Sequence, residues 1–224
     1  RLFETGLRFV KQGDETVQQK MLSGLILGAD TPEQWGEKAR KVDFFDLKGD
    51  IEALFKLTDS SVQYAATNHP ALHPGQCAEI LTADGKKLGV MGMLHPTLEK
   101  QLGFDNQVFL FELDQELVFK KQIPVFESLS KFPSVRRDMA LIVEEKITTA
   151  EIVNCINSCK EAMIKDVLIF DIYRGEGVDE GLKSVALSLI LQDSTQTLTD
   201  SEIDAIFSRV LDKLHSTINA KLRD

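Results

Sequence analysis

Residues 163–192 read MIKDVLIFDIYRGEGVDEGLKSVALSLILQ and contain two long apolar stretches, 163–173 and 183–192. Each stretch has the length and apolar content of a β-strand. The segment between them is polar and rich in glycine, a composition that is typical of a loop. We therefore predict two long strands joined by the loop 174–182.

The elements on either side of this strand pair complete a recognisable order. The apolar run 139–143 predicts a strand upstream, and residues 220–223 can form a short closing strand. Two capping-box signatures, in which a threonine is followed three residues later by a glutamate, predict a helix on each side of the pair. These signatures are Thr148 with Glu151 and Thr199 with Glu202. The resulting order β, α, β, β, α, β is that of the ferredoxin-like fold.

The first half of the chain predicts a mixed α/β module that ends near residue 118. Short apolar runs bounded by turn residues predict strands, and apolar positions at helical spacing predict helices. The predicted elements are a strand buried on both faces at 21–28, a helix beginning at Thr31, a helix at 44–57, strands at 77–82 and 88–94, a helix at 96–102 and a strand at 108–113. The Asp84–Gly85 pair is a strong hairpin signal between two of these strands.

Charge and hydropathy exclude several classes of protein. The chain has 26 basic and 35 acidic residues, a formal net charge of -9, and neither half is basic. A general polyanion binder driven by counterion release is therefore excluded, and RNA could bind only at a defined face. No apolar run approaches the length of a membrane helix. The three cysteines, an odd number, favour a reducing compartment, and we expect a cytoplasmic protein.

Strand alternation predicts two different faces for the sheet of the second half, because side chains two residues apart share a face. The positions predicted to face the helices are Met139, Leu141, Val143, Leu168, Phe170, Ile172, Val185, Leu187, Leu189 and Leu191. The positions predicted on the opposite, uncovered face are Asp138, Ala140, Ile142, Val167, Ile169, Asp171, Tyr173, Ser184, Ala186, Ser188 and Ile190. An antiparallel sheet can leave such a face bare.

The uncovered face has the chemistry to bind an unpaired base. The Tyr173 ring offers a stacking surface, and the Asp171 carboxylate and Ser184 hydroxyl can address base edges. A carboxylate accepts from the ring nitrogen and amino group of guanine, which gives selectivity. The pattern by itself favours the alternative, a tyrosine that ends an edge strand beside a solvated aspartate.

Short segments spread along the chain resemble one known family. In the first half these are LFETG (2–6), FDLKG (45–49), HPGQ (73–76), GVMG (89–92), LHP (94–96) and FEL (111–113). In the second half they are FPSVRRD (132–138), FDIYRG (170–175), KS (183–184) and TLTD (197–200). Together they resemble the C-terminal portion of the β subunit of bacterial-type phenylalanyl-tRNA synthetase.

The resemblance implies an α+β architecture with two domains. Residues 1–118 would form the C-terminal part of a non-catalytic class II synthetase-like core with an antiparallel sheet. Residues 119–130 would be a linker, and residues 131–224 a ferredoxin-fold anticodon-binding domain.

The resemblance also implies the residues that contact RNA. In that family an aspartate and a tyrosine on the second strand, a serine at the start of the third and an arginine on the last contact anticodon bases. The matching positions are Asp171, Tyr173, Ser184 and Arg223. We add Arg136 and Arg137 as candidate phosphate contacts, with an exposed pair at the entry of a strand as the alternative.

No catalytic site is expected on this chain. A working class II site needs spaced glycines followed by an arginine that holds the phosphates of ATP. Between Gly85 and Gly103 only Gly89 and Gly92 occur, with no arginine after them. The resemblance implies that aminoacylation, with its ATP and Mg²⁺, belongs to the whole ligase through a separate α subunit in a heterotetramer. The expected partners are phenylalanine tRNA and that subunit, without DNA or membranes.

Other candidate sites have simpler explanations. His73, Gln76 and Glu79 suggest a catalytic cluster, but the prolines around them indicate a turn that leads into a strand. Cys155 and Cys159 share a helix face without further metal ligands, which favours two core thiols over a zinc site. Two other functions stay open, namely a ferredoxin-like module that binds small molecules or proteins without RNA, and an independent enzyme.

Overall fold

The computed structural model describes residues 1–58, 60–119 and 129–223 of the 224-residue chain. The chain divides between residues 125 and 126 into two compact units. The predicted linker 119–130 lies, apart from residues 119, 129 and 130, outside the described residues. The predicted domain limits at 118 and 131 stay predictions.

The first unit is built on a six-stranded antiparallel sheet with the order β1-β2-β6-β5-β4-β3. Its strands are β1 (Leu2–Gln12), β2 (Glu15–Leu27), β3 (Val62–Ala66), β4 (Leu72–Thr82), β5 (Lys87–Leu94) and β6 (Val108–Asp114). Its helices are α1 (Phe44–Lys56), α2 (Pro96–Leu102) and α3 (Gln115–Val118).

Helix α1 packs on one face of this sheet, as its amphipathic pattern predicts. Asp43 begins the helix, since its side chain accepts from the backbone N–H of Asp46 while the Asp46 carboxylate accepts from the N–H of Asp43. Leu47, Ile51 and Phe55 recur at a spacing of four residues and are all buried against the sheet. Apolar burial of this face stabilises the unit.

The predicted hairpin between β4 and β5 is confirmed, with Gly85 in the left-handed conformation at its turn. A second hairpin joins β1 to β2 and was not predicted. Residues 2–9 are exposed on both faces of β1, so this strand buries no apolar face within the unit.

The predicted helix at Thr31 was wrong, because residues 28–42 form an irregular loop. The Asp30 carboxylate accepts hydrogen bonds from the backbone N–H groups of Thr31 and Arg40 at 2.8 and 3.3 Å. These bonds hold Thr31, the predicted helix entry, in a closed loop with Arg40. Residues 31–41 also contain no apolar stripe that a helix could bury.

The second unit has the predicted ferredoxin-like order, which confirms the α+β fold. Its elements are β7 (Val135–Glu144), α4 (Thr149–Asn157), β8 (Ile164–Tyr173), β9 (Leu182–Leu191), α5 (Asp200–Ile218) and β10 (Lys221–Leu222). The strands pair antiparallel in the order β10-β7-β9-β8. Both predicted capping boxes are formed, at Thr148 and Thr199.

The core of the second unit lies between one face of its sheet and the helices α4 and α5. Its fully buried members come from alternate positions of the strands and from one stripe of each helix. They include Leu141, Val185, Leu187, Leu189, Leu191, Ile152, Ile156, Val210 and Leu214. Among the described residues of the unit, the other face of this sheet carries no helix. Across the described residues, none of the helices is long and apolar enough to cross a membrane.

Two glycines of the first unit allow a matched test of packing. A Cβ at Gly89 in β5 would lie 2.1 Å from the backbone oxygen of Glu112, whereas a Cβ at Gly49 in α1 meets nothing within 4 Å. We expect Gly89→Ala to lower the free energy of unfolding by about 1 to 3 kcal/mol, since the clash is with backbone. Gly49→Ala should raise it by about 0.5 to 1 kcal/mol. Urea denaturation followed by circular dichroism measures both, and equal effects would contradict the strand register.

Candidate nucleic-acid interface

The face of the second sheet that lies opposite its helices, which we call the open face, is defined by strand register. Directly paired residues of antiparallel strands point to the same side. The residues that share this side are Arg136, Asp138, Ala140 and Ile142 of β7, Asp166, Leu168, Asp171 and Tyr173 of β8, Ser184, Ala186, Ser188 and Ile190 of β9, and Lys221 of β10. In β7 and β9 every position that alternation predicts lies on its expected face.

In β8 the alternation is interrupted by a bulge. Ile169 pairs with Leu187 and Asp171 pairs with Ala186, so β8 contains one residue, Phe170, more than β9 at this point. Beyond the bulge, Asp171 and Tyr173 lie on the open face, as predicted. Ile172 pairs with Val185 of the core, but 39% of Ile172 is exposed, so it does not join the core as predicted.

Before the bulge, the prediction was wrong for four residues. Val167 and Ile169 pack against the core, whereas Leu168 and Phe170 are exposed. The extra residue shifts the phase of the strand, so both halves of β8 cannot follow one alternation. Sequence reasoning therefore missed Leu168 and Phe170 as surface residues. Residues 167–170 are all apolar, and such a run gives no signal for which pair is buried.

Tyr173 is held at the edge of the open face by four neighbours. It pairs with Ser184, and its hydroxyl donates to the backbone oxygen of Glu176 at 3.2 Å. The ring lies against Gly175, where a Cβ would come within 2.8 Å of Tyr173 Oη. The guanidinium of Arg223 lies over the ring, 5.1 Å from its centroid, in a cation–π contact. The tyrosine remains 38% exposed.

Arg223 reaches Tyr173 from the opposite edge of the sheet. It follows β10, and its backbone N–H donates to the carbonyl oxygen of Ala140 at 2.8 Å. The two outer strands are about 14 Å apart at the usual spacing between strands. The side chains of Arg223 and Tyr173 therefore meet above the central strands, whose open-face residues at this level are Ala140, Ile142, Ser184 and Ala186.

Asp171 and Ser184 keep their hydrogen-bonding capacity. Asp171 is exposed and makes no side-chain hydrogen bond or ion pair with any residue that the structure describes. Ser184 is only 4% exposed, and within the described ranges its hydroxyl has no hydrogen-bond partner either. One acceptor-only group and one hydroxyl thus lie beside the tyrosine ring without competing partners.

An ion pair anchors the loop between β8 and β9. Arg174 donates to the Glu145 carboxylate from Nη2 at 2.7 Å and from Nε at 3.0 Å, and this contact lowers the pKa of Glu145. Lys183 Nζ donates to the backbone oxygen of Glu145 at 2.7 Å. Both contacts tie the loop to the end of β7, which fixes the segment that contacts the tyrosine hydroxyl.

Arg136 and Arg137, the predicted phosphate contacts, point to opposite faces. Arg136 lies on the open face, where its Nε donates to Asp138 at 2.8 Å and its guanidinium lies over the ring of Phe170, 5.4 Å from the centroid. Arg137 pairs with Leu189 on the helix side and lies 3.6 Å from Asp204 of α5. The two arginines therefore cannot serve one interface. On the open face, Arg136 alone of the two remains a predicted phosphate contact.

The carboxylate of Asp138, on the same face as Arg136, also has hydrogen-bond partners. Ser188 Oγ donates to Asp138 at 2.7 Å, and the hydrogen bonds from Arg136 and Ser188 lower the pKa of the Asp138 carboxyl group. Asp138 thus differs from Asp171, although both lie on the open face.

The remaining candidate sites have structural roles. Among the described residues no group of three or more histidine, cysteine or acidic side chains could hold a metal ion. Cys155 is buried and Cys159 packs against the same core. Nδ1 of His73 accepts the backbone N–H of Gly75 at 3.0 Å, and Glu79 pairs with Lys87. This supports a turn and strand in place of a catalytic cluster.

Comparison with known proteins gives two family matches. Residues 1–115 match the phenylalanyl tRNA synthetase beta chain CLM domain, and residues 130–223 match the ferredoxin-fold anticodon binding domain. Similar proteins include the phenylalanine--tRNA ligase beta subunits of Methylococcus capsulatus, Nitrosococcus oceani and Hahella chejuensis, at 47%, 43% and 42% identity.

Each of these alignments covers 100% of the chain, which spans 28% of the length of each relative. That the segment is the C-terminal portion of its subunit stays a prediction. The two family matches cover the described strands of both units and all described helices except α3, from the six-stranded sheet to the ferredoxin-like domain with its open face. The chain therefore belongs to the family of phenylalanyl-tRNA synthetase beta chains.

Proposed function

We propose that the second unit binds the anticodon of phenylalanine tRNA on its open face and so contributes substrate selection to phenylalanine-tRNA ligase. The observation that carries the proposal is the convergence of Tyr173, Arg223, Asp171 and Ser184 on one uncovered sheet face. The family description of the domain and the names of the relatives support it.

An extruded base stacks on the Tyr173 ring in this proposal. Arg223 lies over one face of the ring, so the base takes the other face. The carboxylate of Asp171 accepts hydrogen bonds only, and it therefore favours a base edge that donates twice, as guanine does through its ring N–H and amino group. Ser184 adds a hydroxyl that can donate or accept.

The charges of the open face favour stacking over phosphate attraction. The basic residues Arg136, Lys221 and Arg223 lie there together with the acids Asp138, Asp166 and Asp171, so the charges of the two signs balance. Such a surface releases few counterions when RNA binds, so we expect a weak dependence of affinity on salt.

The first unit serves in this proposal as a scaffold for the catalytic α subunit. On edge strand β1 the apolar side chains of Phe3, Leu7 and Phe9 share one face by alternation and are all exposed. An exposed apolar stripe of this kind supports a protein partner. We assign ATP and Mg²⁺ to the ligase as a whole and not to this chain, and we place the complex in the cytoplasm.

Substitution of the stacking residue tests the proposal directly. Tyr173→Ala should weaken binding of the full chain to a fluorescently labelled phenylalanine-tRNA anticodon stem–loop by about 1 to 3 kcal/mol, because the stacking surface is removed. Tyr173→Phe keeps the ring and loses only the bond to Glu176, so it should bind nearly as the parent does. Fluorescence anisotropy measures both. Equal binding by the parent and Tyr173→Ala, or by stem–loops with another anticodon, would support the RNA-independent alternative.

The role of the carboxylate is tested by Asp171→Asn. The amide presents a donor where guanine also donates, so discrimination between a guanine and an adenine at the first anticodon position should fall by about tenfold. Affinity for the adenine variant should change much less. Asp166→Asn, on the same strand and face, is the matched control. If Asp171→Asn keeps the discrimination of the parent, the carboxylate does not read the base.

The packing of Gly175 against the ring gives a further test. Gly175→Ala should push the tyrosine ring out of place, because the new methyl group would lie 2.8 Å from Oη. We expect stem–loop binding to weaken by about 1 to 3 kcal/mol. The urea midpoint of unfolding should not change. Gly6→Ala, whose Cβ meets nothing within 4 Å, is the control. Unchanged binding by Gly175→Ala would show that the ring orientation is unimportant.

A further inference from the structure

We infer that the open face holds two neighbouring unpaired nucleotides and that Phe170, backed by Arg136, is the stacking surface for the second. This inference rests on the proposed function and extends the same surface. It assigns a ligand to Phe170, which strand alternation had predicted to face the helices.

Phe170 is exposed in a way that a core or structural phenylalanine is not. The bulge places it on the same side as Asp171, and 54% of the residue is accessible. Together with the exposed Leu168 of the same face, Phe170 forms an apolar patch, and exposed apolar patches mark interaction sites. A planar base is a suitable ligand, because every base offers a π-face to an aromatic ring.

The arrangement around Phe170 repeats the arrangement around Tyr173. Arg136 lies over the ring of Phe170 at 5.4 Å, and Arg223 lies over the ring of Tyr173 at 5.1 Å. Arg136 comes from β7, and Arg223 is the residue that follows β10. Each arginine covers one face of its aromatic ring, and the remainder of the ring is exposed. Arg136 is fixed by its bond to Asp138, so this second pair is also formed before any ligand binds.

The spacing of the two rings suits adjacent nucleotides that are unstacked from each other. Phe170 and Tyr173 are three residues apart on one strand, which is at most about 10 Å. This exceeds the 3.4 Å rise between stacked bases in a duplex strand, so the two bases would be splayed apart. Splayed bases stacked on aromatic side chains are the usual form in which proteins recognise single-stranded RNA. Asp171, which pairs with Ala186, is assigned to the base at Tyr173.

The second position should read the presence of a base more than its identity. Phe170 has no hydrogen-bonding group, and the nearby Asp138 and Ser188 are bonded to each other. At Tyr173, by contrast, Asp171 and Ser184 are free to bond a base within the described structure. The open face thus combines one selective and one permissive position.

The test is a double cycle between protein side chains and single bases. The full chain, Phe170→Leu and Tyr173→Leu are each titrated with the labelled anticodon stem–loop and with three versions that are abasic at one anticodon position. Phe170→Leu keeps an apolar side chain and removes the ring, so folding should be retained. Phe45→Leu, at an exposed phenylalanine of the first unit, is the control. Two groups that stack on each other give non-additive losses.

We expect Phe170→Leu to weaken binding of the intact stem–loop about fivefold or more. At one abasic anticodon position, Phe170→Leu should cause no further loss of affinity. This position should be next to the one at which Tyr173→Leu causes no further loss of affinity. Exchange of the base at the Phe170 position should change affinity less than the abasic substitution does. Two outcomes would overturn the second site alone and favour a protein contact for Phe170. In the first, an abasic position abolishes the effect of Tyr173→Leu but none abolishes the effect of Phe170→Leu. In the second, the same abasic position abolishes both effects. Binding that no variant changes would overturn the proposed function itself.

Discussion

The bulge at Phe170 is the constraint on which the open face depends. A strand places alternate side chains on opposite faces, so a regular β8 that buries Val167 and Ile169 would also turn Asp171 and Tyr173 toward the helices. One additional residue resolves this conflict, because it shifts the phase between the two halves of the strand. The first half fills the core, and the second half presents the polar and aromatic groups to solvent.

The rest of the face is arranged around that shift. Ala140 and Ala186 leave space above the central strands, and the long side chain of Arg223 uses this space to reach Tyr173 from the far edge. The contact joins residues 50 positions apart in sequence on the two outer strands, so it depends on the full strand order. Binding groups that come from three strands of one sheet are held by the hydrogen bonds of that sheet and by the core beneath it.

The sequence predicts the parts of this structure that local chemistry determines. The capping boxes at Thr148 and Thr199 and the Asp84–Gly85 turn are specified by a few adjacent residues, and all are formed. The faces of β7 and β9 are predictable because leucine and valine alternate there with serine, alanine and aspartate. The four apolar residues 167–170 lack this contrast, and the phase shift depends on pairing with β9. The cation–π contacts of Arg136 and Arg223 likewise arise from tertiary structure, which single-sequence patterns do not encode.

The anchoring of the loop after β8 has an energetic consequence for any ligand of the tyrosine. The ion pair of Arg174 with Glu145 and the bond from the tyrosine hydroxyl to Glu176 immobilise the ring in the free protein. Restricting a side chain at an interface usually costs about 0.5 to 1.5 kcal/mol at the moment of association. In this domain that entropy is lost during folding, so a residue such as Glu145 can strengthen complex formation from a distance, without touching the bound molecule.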